Sequence, residues 1–272
     1  MAELPELTIL QQQMDAALAG RSIAQVEILQ EKCLNVPVGQ AVSTLTGRQI
    51  TAVTRRGKWL YLHLDGALFL LLNLGMGADL WHYPSGAVLP EKYQLRIGLD
   101  DGTGFTCRFW WFGYIRLLTA AELDGFKETA KLGPSPLAVT AAELAAIARR
   151  TPRSTAKSLI MDQEKLSGIG NAYAHDILWE AQIHPQRKLG ALTDAELGRY
   201  HAAIAQVVNR AISLGGLETD FHRAQGNLSD AGRLFRIGYK EGKPCPRCGT
   251  AIAKIQTGST ATFICPQCQT AE

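Results

Sequence analysis

Two groups of residues in this chain could do chemistry by their types and spacing. The first is the amino end, Met1-Ala2-Glu3-Leu4-Pro5-Glu6. Initiator methionine is normally trimmed before a residue as small as alanine, which leaves a free amine on Ala2 beside the carboxylate of Glu3. An α-amine has a reference pKa of about 7.7–8.0, so a usable fraction is neutral near neutral pH. A neutral amine can attack a carbonyl-like carbon and form a Schiff base while an adjacent carboxyl moves the protons. The same six residues can equally be an acidic tail ahead of a helix. The second group is Cys245-Pro-Arg-Cys248 and Cys265-Pro-Gln-Cys268, sixteen residues apart. This is the spacing of a four-cysteine zinc ribbon, and four thiolates leave no open coordination position, so one structural Zn2+ is expected. Gly249 suits the knuckle after the first pair. Two disulfides would need an oxidising compartment, and the start, with Glu3 and Glu6 and no basic n-region, does not read as a secretory signal. A cytoplasmic protein is expected. Cys33 and Cys107 stand alone and read as buried thiols.

These groups need elements to position them. Residues 5–19 carry Leu7, Leu10, Met14 and Leu18 at helical spacing, and Pro5 suits a first turn, so an amphipathic helix should anchor the amino end. The next hundred residues read as antiparallel strands. Trp59–Leu64 and Ala67–Leu72 flank Asp65-Gly66, the signal of a two-residue hairpin, and Tyr93–Leu99 pairs with Gly104–Trp111 across Asp100–Thr103. Such strands without a long helix between them suggest a β-sandwich. After the Pro/Gly-rich junction at 132–137, helix signals take over. Thr140-x-x-Glu143 and Thr193-x-x-Glu196 are capping boxes, the second opening a long amphipathic helix. Between them, Ala156–Asp162 and a helix through Trp179 flank the turn Gly168-Ile-Gly-Asn171, either a scaffold elbow or a DNA-docking element. The glycine-rich stretch 215–232 reads as a mobile loop. The expected organisation is an α+β, multi-domain chain: a β-sandwich with an N-terminal helix (1–132), a helical domain with its loop (133–232) and a zinc ribbon (233–272).

Composition narrows the partners. Hydrophobic residues make up 46% and charged residues 19%, as in a globular rather than a disordered chain. No apolar run approaches the ~20 residues of a membrane span. A net charge of +3 permits a polyanionic partner without demanding one. The distribution says more. Arg233, Arg236, Lys240, Lys243, Arg247 and Lys254 face a single acid, Glu241, and Arg55-Arg56-Gly57-Lys58 forms a second cluster. Two separated clusters favour a phosphate-backbone partner over plain solvated surface.

Taken in order, these segments resemble the formamidopyrimidine-DNA glycosylase/endonuclease VIII family of base-excision repair enzymes. Ala2-Glu-Leu-Pro-Glu6 is similar to that family's Pro-Glu-Leu-Pro-Glu start, and Arg55-Arg-Gly-Lys58 matches its Arg-Arg-Gly-Lys strand. Leu74-Gly-Met76 resembles the loop that supplies an inserted methionine. Met161-Asp-Gln163, Gly168-Ile-Gly-Asn171-Ala-Tyr173 and Ile183-His-Pro185 resemble the helix-two-turn-helix signature, and the ribbon closes the chain as in that family. The resemblance implies a monomeric glycosylase that flips a damaged nucleotide out of double- or single-stranded DNA. By that resemblance Ala2 N is the nucleophile at the sugar C1′, Glu3 the general acid/base, and Glu6 the residue that orders the terminus. Lys58, Arg56, Asn73, Asn171 and Thr260 would contact DNA, Met76 would fill the vacated space, and Trp110 and Phe112 would accompany it. Each has a simpler alternative: Glu6 complementing a helix dipole, Lys58 a surface cation, Met76 core filler, Asn171 a helix cap.

Four positions depart from the family pattern. Its terminal proline is Ala2. Its Asp-Pro-Arg-Arg-Phe-Gly strand is Arg108-Phe-Trp-Trp-Phe-Gly113, which puts Trp110 where an arginine meets the orphaned base. An indole stacks where an arginine would read cytosine, so weaker opposite-base preference is expected. If Trp110 and Trp111 instead belong to a strand, alternation turns only one outward. The arginine five residues before the third cysteine is Thr260, and a loop histidine is Asn73. A catalytically weak protein that binds lesions or abasic sites on the same scaffold is the alternative reading.

Overall fold

In the computed structural model, which describes residues 2–217, 220–222 and 231–271, helix α1 (Leu4–Leu18) begins as its sequence requires. Glu3 is the N-cap in extended backbone, Pro5 sits in the first turn where its missing N–H breaks no bond, and Glu6 reaches back to the Glu3 N–H. Leu7, Leu10, Met14 and Leu18 are buried as one stripe. The opposite end of the helix is tied to a strand edge. Asp15 Oδ1 accepts from Val53 N–H at 2.6 Å, and Gln11 Nε2 donates to Val53 C=O at 2.8 Å. Those are edge groups that would otherwise offer a pairing template.

Eight strands follow: β1 (Ile23–Ile28), β2 (Ile50–Arg56), β3 (Trp59–Leu64), β4 (Leu68–Asn73), β5 (Ala78–Tyr83), β6 (Leu95–Leu99), β7 (Gly104–Phe109) and β8 (Tyr114–Thr119). They form two antiparallel four-stranded sheets, ordered β1-β6-β7-β5 and β2-β3-β4-β8. Inward residues of both sheets, such as Leu62, Leu70, Ile97 and Phe105, share one core with α1. This is the expected β-sandwich with its N-terminal helix. Helix α2 (Val38–Leu45) and the short α3 (Ala120–Leu123) and α4 (Lys127–Ala130) complete it.

Two expectations need correction. Leu64 pairs with Leu68, so the β3–β4 loop has three residues, Asp65-Gly66-Ala67. Gly66 and Ala67 both take positive φ (70° and 57°), and the Ala67 carbonyl accepts from Ala120 N–H, which draws it out of the ladder. The second hairpin keeps the expected pairing of β6 with β7, but β7 ends at Phe109, before both tryptophans. Strand alternation therefore does not govern Trp110 and Trp111.

The rest of the described chain is α5 (Ala141–Arg150), α6 (Ala156–Met161), α7 (Asn171–Glu180), α8 (Asp194–Ser213), α9 (Ala231–Leu234) and the hairpin β9 (Ala253–Thr257) with β10 (Thr260–Ile264). Both capping boxes form as the sequence predicts, Thr140 with Glu143 and Thr193 with Glu196. Helix α7 is buried along most of its length, and its Asp176 carboxylate accepts from the backbone N–H groups of Arg236, Ile237 and Gly238. Burial pushes the Asp176 pKa up, against the pull of those three donors.

By internal contacts the chain forms two units, Met1–Ala130 with Gly215–Leu228, and Lys131–Leu214 with Ser229–Glu272. Of the described part of the glycine-rich stretch, residues 215–217 and 220–222 belong to the first unit, and 231–232 open α9 in the second. Leu217 N–H donates to Glu6 Oε1 and Phe221 N–H to Gln13 Oε1, while the Phe221 ring is fully buried. The expectation of a mobile loop for 218–219 and 223–230 lies outside the described residues. Among the described residues no helix is long and apolar enough to cross a membrane.

Candidate active site and metal centre

At the amino end, Ala2 is half-buried against the sandwich core and Glu3 is fully buried beside it. Glu6 fixes this corner from both sides. Its Oε2 accepts from Glu3 N–H at 2.9 Å, and its Oε1 accepts from Leu217 N–H at 3.1 Å. Gly216 has φ 62°, and a Cβ there would stand 3.0 Å from Glu6 Oε1, so the chain passes close because this residue is glycine. Helix-dipole compensation alone does not describe Glu6, because a buried carboxylate with two backbone donors is a structural joint.

The second sheet ends in a set of turns. Gly57 and Lys58 close the β2–β3 hairpin, where Arg56 pairs with Trp59; Trp59 also pairs with Asn73 at the end of β4, and Asn73 with Tyr114 at the start of β8. Lys58 is half-buried and Arg56 exposed. Asn73 Oδ1 accepts from Gly75 N–H at 2.9 Å and so shapes the loop carrying Met76. Two glycines let that loop lock onto the next one. A Cβ at Gly75 would fall 1.4 Å from the Phe112 carbonyl oxygen, and one at Gly77 would fall 2.5 Å from the Trp110 ring. Trp110 N–H also donates to Gly77 C=O.

The result is an exposed aromatic surface. Met76 is 43% exposed, Trp110 41%, Trp111 80% and Phe112 58%. Met76 is therefore not core filler, and both tryptophans face outward, where alternation would have turned only one. Trp111 was not among the expected site residues. Its signal was a run of four aromatics, Phe109–Phe112, followed by glycine, but only the early end of β7 gives the last three their exposure.

In the second unit, Gln163 clamps the glycine turn, accepting from Gly168 N–H at 2.8 Å and donating to Ile169 C=O at 2.8 Å. Gly170 is the N-cap of α7 and Asn171 its first helical residue, so Asn171 is not the cap. Its Oδ1 is buried without a hydrogen-bond partner among the described residues, while its Nδ2 lies 3.5 Å from His175 Nε2. His175 Nδ1 accepts from Phe263 N–H on β10. Burial, with the charge of Lys157 nearby, pushes the imidazole pKa down to about 3, so it is neutral at physiological pH. Thr260 opens β10, and its hydroxyl accepts from Lys157 Nζ at 2.8 Å. Nothing in the local sequence signalled Lys157.

The four cysteine sulfurs of the ribbon lie within 4.8 Å of one another, with Cys248–Cys265 at 3.4 Å, Cys248–Cys268 at 3.5 Å and Cys245–Cys268 at 3.9 Å. A tetrahedral zinc with Zn–S bonds of ~2.3 Å needs sulfurs about 3.8 Å apart, so the donor set fits. Gly249 takes φ 78° at the first knuckle, and Trp179 Nε1 donates to Cys245 Sγ at 3.4 Å. The site is that of one structural Zn2+. Arg247 stacks on the Trp179 ring at 4.4 Å, fastening the knuckle to α7.

Comparison with known proteins agrees segment by segment. Residues 1–109 match the formamidopyrimidine-DNA glycosylase N-terminal domain, 132–223 its H2TH domain, and 242–271 the zinc finger found in FPG and IleRS. The chain is 35% identical to the formamidopyrimidine-DNA glycosylase of Roseiflexus sp. (strain RS-1), covering 99% of this chain and 100% of that protein. The chain belongs to the formamidopyrimidine-DNA glycosylase family. The Rhodococcus opacus (strain B4) member is 34% identical over 100% of this chain and 98% of its own length. A Lactococcus lactis Fpg solved in complex with DNA containing an abasic site superposes with a TM-score of 0.89 at 25% identity, covering 99% of this chain and 100% of that one. The three matched segments thus recur in family order, with the ribbon cysteines in the zinc-finger match.

Proposed function

We propose that this family member removes damaged bases from DNA and cleaves the strand at the resulting abasic site, with the amine of Ala2 as nucleophile. The observation that carries the reading is the amino-terminal corner: a half-buried Ala2, a buried Glu3 carboxylate next to it, and Glu6 holding the Glu3 backbone. Preorganisation of this kind is what proximity catalysis needs. The Ala2 lone pair attacks C1′ and the bond from C1′ to the base breaks, the base leaving with the electron pair. Glu3 relays the protons, and the sugar ring opens as the C1′ imine forms, its ring oxygen taking a proton. Alanine gives a primary amine, so this imine must be protonated before it can draw electrons from C2′. Loss of the C2′ proton then expels the 3′ phosphate, and water releases the enzyme.

DNA would be held by Lys58, Arg56 and Asn73 at the turns of the first unit and by Asn171 and Thr260 in the second. Met76 enters the space of the flipped nucleotide. Trp110 and Phe112 stack on the orphaned base, worth about 1–3 kcal/mol with little choice among bases. Opposite-base preference is therefore weak.

Borohydride trapping on abasic-site DNA, with mass analysis of the adduct, tests the chemistry. The expected product is a covalent adduct on a peptide beginning at Ala2, with Met1 absent. Full removal of Met1 without adduct or nicking would sink the proposal. An adduct that survives blocking of the terminal amine would move the nucleophile to a lysine. Glu3→Gln is expected to abolish base release and leave DNA binding in place.

A further inference from the structure

Five of the nine large hydrophobic side chains exposed among the described residues belong to the Met76 loop and the segment 110–114: Met76, Trp110, Trp111, Phe112 and Tyr114. So concentrated an apolar surface marks a binding site rather than scattered exposure. The proposed function occupies Met76, Trp110 and Phe112. It leaves Trp111, the most exposed of the five at 80%, without a role. Among the described residues the Trp111 ring pairs with no other aromatic ring, and its indole N–H with no acceptor. Nor is it a loose tip. The Phe109 ring lies under Gly113, where a Cβ would stand 2.1 Å from it, and the Phe112 carbonyl lies against Gly75. The turn is clamped on both sides of Trp111, so presenting the ring to a partner costs little ordering entropy.

The surroundings favour one kind of partner. Residues 55–60, 73–78 and 109–115 meet at this end of the sheet through the pairing of Arg56 with Trp59, Trp59 with Asn73 and Asn73 with Tyr114. They hold Arg55, Arg56 and Lys58 and no acid. Cations beside exposed aromatic faces suit nucleic acid. The number of rings then limits which DNA. A paired base shows only its edge, so an aromatic side chain can take only a face freed by loss of pairing. Flipping one nucleotide out of a matched duplex leaves one orphaned base, and Trp110 and Phe112 suffice for its two faces. Trp111 needs a second unpaired base. Opening a matched neighbouring pair costs about as much as one stack returns, so on matched DNA the third ring stays idle.

We propose that Trp111 stacks on an unpaired base beside the orphaned one, on the strand opposite the lesion, and that the preferred substrate is a lesion flanked by a mismatch or small bubble. This rests on the reading of the chain as a DNA glycosylase and names its substrate class.

The test uses the full-length zinc-loaded protein and DNA carrying a tetrahydrofuran abasic analogue in three forms: a matched duplex, the same duplex with the pair beside the analogue mismatched, and the single strand. Binding is followed by fluorescence anisotropy. The wild type is expected to bind the mismatched duplex about tenfold more tightly than the matched one, the size of one base–aromatic stack. Trp111→Ala should bring that ratio close to one, and Trp111→Phe should restore most of it. On mismatched DNA with a true abasic site, the loss in Trp111→Ala should appear in KM rather than kcat. A wild-type ratio near one would overturn the proposal. So would a ratio that Trp111→Ala leaves intact, which is what easier bending of mismatched DNA alone would give. If Trp111→Ala loses as much on the single strand as on the mismatched duplex, the stacked base lies on the lesion strand and the proposal is again overturned. Self-association of the wild type, abolished in Trp111→Ala with the ratio intact, would make this a contact between copies of the chain and overturn it as well. A wild type that binds none of the three DNAs would instead count against the proposed function itself.

Discussion

Glu6 shows how much one carboxylate can hold. Its two oxygens serve two backbone N–H groups more than two hundred residues apart in sequence, one at Glu3 and one at Leu217. Glu6→Ala leaves both donors unpaired in a buried corner, at about 1–3 kcal/mol for each. Glu6→Gln keeps one carbonyl acceptor and should fall between alanine and wild type. Chemical denaturation of the full-length protein measures both, and equal stability of all three proteins would remove Glu6 as a structural joint. Activity should follow the same order, because the amine and Glu3 depend on that corner for position.

The amino end of α8 illustrates an element whose stability depends on pH. Thr193 caps it, and Glu196 accepts from Thr193 while pairing with Arg187. The Arg187 contact, more than the capping bonds, holds the Glu196 carboxyl at about 2. The folded pKa lies below the unfolded one, so the stabilisation is complete above about pH 4.5 and disappears as pH falls to about 2. Glu196→Gln should therefore flatten the acid limb of the stability curve over that window. An acid limb unchanged in Glu196→Gln would contradict the assignment. Thr193→Ala should cost about 1 kcal/mol at neutral pH, the ordinary value of a lost cap.

For the whole molecule, the metal and the two cores make a combined prediction. The ribbon packs Cys245, Ile252, Phe263 and Cys265 with Trp179 and Ile237 in a small cluster of its own, whereas the sandwich core draws on α1 and both sheets. Removing zinc with a chelator should release the ribbon cluster and leave the sandwich folded, because so small a cluster cannot stand without its metal. Hydrogen exchange is expected to show protection lost across 242–271 and at the end of α7 while β2, β3 and β4 keep theirs. Loss of protection in all of these together would contradict it. Abasic-DNA binding should fall with the ribbon, since Thr260 sits on its hairpin.

What the sequence determined by itself is what short-range chemistry encodes. Knuckle spacing marks the four zinc ligands because each pair closes on a tight local turn. Thr-x-x-Glu marks helix starts because cap and acceptor lie three residues apart, and apolar alternation with turn residues marks hairpins. Read in order, those segments also disclosed the family. The tertiary structure decided whatever depends on distant partners. The exposure of Trp110 and Trp111 follows from where β7 stops and from Gly75 and Gly77, far earlier in the chain. The burial of Phe221 follows from its seat in the sandwich core. The donor to the Thr260 hydroxyl is Lys157, about a hundred residues before that hairpin. Periodicity cannot report such pairs, because a lysine at that place in a short helix reads the same whether it meets water or the threonine hydroxyls of a distant hairpin.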